Sequence, residues 1–152
     1  MRIQLNNNNY SEVVTPIIQP GFAYDATLND SDKTFTVPDG EMWRLLYANA
    51  TFVTTATVGN RQIRMEVSDP SGSPMGYISS GAVQAASLTR HYGFMQGIYR
   101  ETSFIDGMIQ IPIPLDLYLP AGATIRFYDS AAVDAAADDL TIAFGYSIYK
   151  GM

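Results

Sequence analysis

From residue 33 onward, apolar side chains recur at every second position, the spacing of a strand with one covered and one wet face. Ile63, Met65 and Val67 alternate with Gln62, Arg64, Glu66 and Ser68. Ile109, Ile111, Ile113, Leu115, Leu117 and Leu119 hold one parity, while Gln110, Pro112, Pro114, Asp116 and Tyr118 hold the other. Proline has no N–H to give a ladder, so this second stretch is extended but lies at an edge or bends. Near the end, Leu140, Ile142, Phe144, Tyr146 and Ile148 alternate with Thr141, Ala143, Gly145 and Ser147. That second set is small and weakly polar, a smooth face that fits either solvent or another subunit. Helical spacing is nearly absent. The one candidate, "SAAVDAAADDL" at 130–140, reads as a turn or two of helix, favoured by alanine, or as an acidic loop. Eight to ten strands separated by Gly, Pro, Asn and Asp predict an all-β sandwich.

Two stretches share a turn logic. "FTVPDGEMWRL" and "LYLPAGATIRF" each run from an apolar strand through Pro-x-Gly into another strand. Proline at the second position and glycine at the fourth suit a type I turn. Pro38–Gly40 and Pro120–Gly122 are therefore predicted corners, where the chain passes between edges or sheets. The strand after the first corner is long, about residues 41 to 55. Trp43, Leu45 and Tyr47 share one parity; Met42, Leu46, Ala48, Ala50 and Phe52 share the other. Apolar residues on both parities predict cover on both faces. Trp43 is the sole tryptophan. It reads as core or interface packing, or as a ligand platform in the company of tyrosines such as Tyr24, Tyr77 and Tyr128.

The first thirty residues differ. "NNNN" (Asn6 to Asn9) is a short low-complexity tract, and Pro16 and Pro20 limit strand pairing. We read 1–30 as an extended arm and 31–152 as the sandwich domain. Val13, Val14, Ile17, Ile18 and Phe22 are too apolar to prefer water, so the arm needs a surface to cover.

Composition narrows the function. The 152 residues are the size of one domain, and only 16% are charged. A net charge of −6 with nine scattered Lys and Arg residues argues against nucleic acid as a partner. There are no cysteines, which excludes disulfides, thiolate nucleophiles and Cys-ligated zinc. "MRIQLNNNNY" has no apolar run like that of a secretory signal, and no run approaches a membrane span, so cytoplasmic synthesis without a membrane partner is expected.

Candidate chemistry is sparse. The one histidine, His91 in "LTRHYGF", has no recognisable nucleophile motif and reads as a surface or interface residue. Asp30/Asp32 and Asp134/Asp138/Asp139 form two acidic groups that match no EF-hand loop, so no metal or other cofactor is expected. An enzyme is not expected either.

Residues 35–149 carry "VPDGEMWRLLYANATFVTTATVGNRQIRMEV", "GAVQAASLTRHYGF" and "LPAGATIRFYDSA". This combination resembles small structural proteins of tailed-bacteriophage virions. The resemblance implies a jelly-roll-like antiparallel β-sandwich, often a homotrimer, that decorates or cements the capsid surface by gripping the major capsid protein. It supplies no catalytic residues. On that reading the arm residues Val13, Val14, Ile17, Ile18 and Phe22 contact capsid or a neighbour. Trp43, Tyr47, His91, Tyr92, Phe94 and Met95 are candidates for oligomer packing. Two alternatives stay open: a receptor- or glycan-binding module of a head fibre or tail, and a tail or neck connector.

Overall fold

The computed structural model describes residues 17–28 and 31–150; Val13 and Val14 of the arm, Asn6–Asn9 and Asp30 fall outside them. Ten strands are present: β1 (Ile17–Asp25), β2 (Asp32–Thr36), β3 (Glu41–Val53), β4 (Ile63–Ser68), β5 (Pro74–Ser79), β6 (Thr89–Gln96), β7 (Met108–Ile113), β8 (Tyr118–Leu119), β9 (Thr124–Asp129) and β10 (Asp139–Lys150). The larger sheet runs β1-β10-β3-β6-β7, with the short β8 also on β3; the smaller runs β2-β9-β4-β5. Setting β7 and β8 aside, eight strands interleave as β1-β10-β3-β6 over β2-β9-β4-β5. That is the wiring of a jelly roll, and the protein is an all-β sandwich. Among the described strands, the one departure from antiparallel pairing is β7, which runs parallel to β6 at the sheet edge. Pro112 lies within β7, where an edge strand tolerates a missing donor.

The two Pro-x-Gly stretches are corners between the sheets. The first joins β2 to β3 and the second joins β8 to β9. Their turn type differs from the expected one. Glu41 N–H donates to Pro38 C=O and Ala123 N–H to Pro120 C=O, so proline opens each turn and glycine sits third. Gly40 and Gly122 have φ of 76° and 80°, which is the type II requirement. The corners also hold each other: Val37 N–H donates to Ala123 C=O, and Gly122 N–H to Val37 C=O.

The mixed parity of β3 has a cause inside the chain. Leu45 pairs with Tyr146 and Tyr47 with Gly145, so Leu46 is an extra residue without its own partner. Such a bulge switches the inward parity. Trp43 and Leu45 point into the core before it; Ala48, Ala50 and Phe52 do so after it. The mixed parity therefore has an internal cause: both parities face one core in turn. Phe144 sits at the centre of that core, its ring 4.8 Å from Phe35, 6.1 Å from Trp43 and 6.3 Å from Phe127. The 130–138 segment makes two turns, one closed by Ala132 N–H on Asp129 C=O and one by Ala137 and Asp138 N–H on Asp134 C=O, and no helix forms among the described residues.

Candidate interaction surface

Register assigns every strand residue to the inner or outer face. On the larger sheet, Ile18, Phe22 and Tyr24 of β1 pair with Tyr149, Gly145 and Ala143 of β10. Those in turn face Met42, Tyr47 and Asn49 of β3, and Tyr47, Asn49 and Thr51 face Met95, Gly93 and His91 of β6. All of these lie on the outer face. Its centre is smooth for a structural reason: a Cβ added to Gly145 would stand 2.6 Å from the Tyr47 ring, and one on Gly93 would stand 2.8 Å from the Met95 methyl. Tyr47 and Met95 thus lie flat over glycines. Along the rim of this face Ile18, Phe22 and Tyr24 are 59%, 60% and 68% exposed. By register, the charged side chains on this face among β1, β10, β3 and β6 are Arg44 and Asp139.

Residues singled out as candidate contacts divide in two. Ile18, Phe22, Tyr47, His91 and Met95 meet on this one face, and Ile17 is exposed at the start of β1. His91 Nδ1 lies 3.0 Å from Thr51 Oγ1, across the β3–β6 pair. Trp43, Tyr92 and Phe94 point the other way, into the chain's own core, so as candidates for oligomer packing they are corrected. The Trp43 ring stacks on Tyr146 at 4.0 Å, and its Nε1–H donates to Glu41 Oε2 at 2.8 Å. Tyr92 donates its hydroxyl to buried Gln84 Oε1 at 2.8 Å, and burial pushes its pKa up. Phe94 meets Phe127 edge-on at 5.5 Å. A buried Trp43 also removes the centre of the ligand platform.

The outer face of the smaller sheet is built differently. Arg126 Nε donates to both oxygens of Asp32 at 2.9 Å, and this ion pair raises the arginine's pKa further. The Arg126 guanidinium also lies 4.2 Å over the Tyr128 ring. Tyr128 gives its hydroxyl to Glu66 at 3.0 Å, and Arg64 lies 4.2 Å over Tyr77. These charges are matched within the chain.

At one end, a polar cluster ties the β3–β4 and β9–β10 loops together. Arg61 and Asp138 are both fully buried and pair at 2.8 Å. Arg61 Nη1 also donates to the carbonyls of Thr57 and Gly59, and Thr55 N–H donates to Asp138 Oδ1 at 2.7 Å. Asp134 accepts the hydroxyls of Thr55 and Thr57, which hold its pKa below the usual carboxylate value. The acidic group 134–139 is thus partly a counter-ion for Arg61. Sequence reading missed this pair, because its members are 77 residues apart and neither carries a local signal. Among the described residues, no three His, Asp or Glu side chains group as ligands for a metal ion.

No protein-family model matches the chain, and no curated protein matches it either.

Proposed function

We propose that this protein is a structural component of a tailed-phage virion, one that decorates the assembled head and holds neighbouring capsid subunits together. Three features support the reading. Residues 35–149 carry the turn and strand motifs that resemble such proteins. The sandwich has jelly-roll wiring. The observation that carries most weight is the exposed apolar row Ile18, Phe22 and Tyr24 on the rim strand β1, directly after the segment that holds Val13 and Val14. Burying one such side chain contributes on the order of 1.5–3 kcal/mol, so a row of them on a rigid frame is a macromolecular contact.

The mechanism is physical. A decoration protein binds the assembled shell and not its free subunits, so mass action favours assembly. Each added contact on a multivalent binder raises the effective concentration of the next. The major capsid protein is the partner, the virion surface the location, and the homotrimer implied by the resemblance the working assembly. The glycan-binding reading loses its central aromatic with Trp43 in the core.

The test is Phe22→Ser with Tyr24→Ser, exposed changes that leave the pairing of Ile17–Asp25 with β10 in place. The double variant should melt like the parent and fail to co-sediment with heads of the virus that encodes it. Undiminished sedimentation with heads would count against the proposal. A failure of the full chain to bind heads at all would overturn it.

A further inference from the structure

We propose that the outer face of the larger sheet docks a second copy of this same chain. The inference rests on the virion reading in calling the protein an assembly component, and it shares the rim strand β1 with the capsid contact proposed there.

The first is charge. The chain carries a net −6, and a second copy brings the same sign to the contact. Like charges placed across an interface oppose association, so self-contact requires a patch from which charge has been left out. The outer face of β1, β10, β3 and β6 meets that requirement with Arg44 and Asp139 alone. These two also lie at opposite ends: Arg44 pairs with Ser147, and Asp139 with Val53 at the far end of β3. The Arg44 guanidinium already has a counter-ion, Asp116 at 3.3 Å, and donates to Leu115 C=O at 3.1 Å.

The second is area. The four strands of the face, spaced ~4.8 Å apart and averaging about ten residues each at ~3.4 Å, span roughly 19 by 34 Å, or on the order of 650 Å² in projection. Standing side chains raise the accessible area above its projection. A stable interface needs about 800 Å² per partner, so the face is of the right size.

The third is relief. Tyr47 over Gly145 and Met95 over Gly93 flatten the middle of the face. A flat centre with Phe22 and Tyr24 at the rim suits broad contact with a flat surface rather than insertion of a peptide. The neighbouring free edge is less suitable. Pro20 sits midway along β1 and interrupts the row of N–H donors that strand addition would use.

The experiment is the solution mass of the full chain at tens of micromolar, by light scattering. The wild type should run as a dimer or trimer of the 16.7 kDa chain. Asn49→Arg, at an exposed position in the middle of the face, should weaken association at least 100-fold and run as monomer. Ala143→Glu, its neighbour across the β3–β10 pair, is the second variant and should do the same. Thr34→Glu, on the outer face of the smaller sheet, should leave the mass unchanged. A monomeric wild type would overturn the proposal, and so would an oligomer untouched by both face variants. A monomer that still binds heads would sink this inference and leave the virion reading standing. An oligomer lost in both face variants that binds no head would do the reverse.

Discussion

The two outer faces of this sandwich have opposite surface chemistry. On the smaller sheet Asp32, Arg126, Glu66, Tyr128, Arg64 and Tyr77 are linked by an ion pair, a tyrosine–glutamate hydrogen bond and cation–π contacts closed within the chain. On the larger sheet Phe22, Tyr24, Tyr47, Ala143 and Met95 have few charges among them. The charged face is the more finished of the two, because its groups already have partners. The apolar face is the one that gains from contact. Charge content alone is therefore a poor guide to which side of a domain binds; what matters is whether each group is already satisfied.

Changes graded by where they fall should sharpen that contrast. The largest effect is expected in the buried loop cluster at one end, where Asp138→Ala leaves Arg61 buried and unpaired. Removing one partner of a buried ion pair costs about 3–5 kcal/mol, so chemical denaturation should show a loss of that size. Next comes Gly145→Ala, whose new methyl would collide with the Tyr47 ring. The clash is with the outer end of a side chain that is 41% exposed, so the ring can swing aside at less than the ~1–3 kcal/mol of core overpacking. The displaced ring would roughen the apolar face, so association should weaken with little change in melting temperature. Asp32→Ala on the charged face opens an ion pair whose side chains are each 41% exposed. Exposed pairs contribute about 0–1 kcal/mol, and neither the melt nor the mass should move much.

The smallest effect is one of pH. The indole N–H of Trp43, then Lys150, hold the Glu41 carboxyl below its usual 4.5. A carboxyl depressed in the folded state stabilises the fold fully above its unfolded value and stops doing so as pH falls through the folded one. The contribution of Glu41 should therefore be constant above pH 4.5 and decline below it. The fluorescence of Trp43, the only tryptophan, should report the same transition.

Much of this frame was legible in the residues themselves. The parity of Ile63–Val67, of Ile109–Ile113 and of Leu140–Phe144 matches their burial, because hydrophobic alternation is a local property. The two Pro-x-Gly corners were legible for the same reason, although their turn type was not. What local pattern cannot carry is register. Nothing near Leu46 marks it as the bulged residue, and that one insertion decides that Trp43 faces the core and Tyr47 the surface. Nor did the prolines of the first thirty residues reveal that Ile17–Asp25 pair with β10, since a rim strand needs donors on one side only. Ile18, Phe22, Tyr47, His91 and Met95 were read as two separate groups. It took the pairing of β1, β10, β3 and β6 to place them on one surface.

The most direct test uses the absence of cysteine from the chain. Single variants Asn49→Cys and Thr34→Cys place one thiol on each outer face, and their rates of maleimide labelling can be followed from 1 to 100 µM protein. Labelling at position 49 should slow at least tenfold as concentration rises, while labelling at position 34 stays constant. Equal, concentration-independent rates at the two positions would contradict the account.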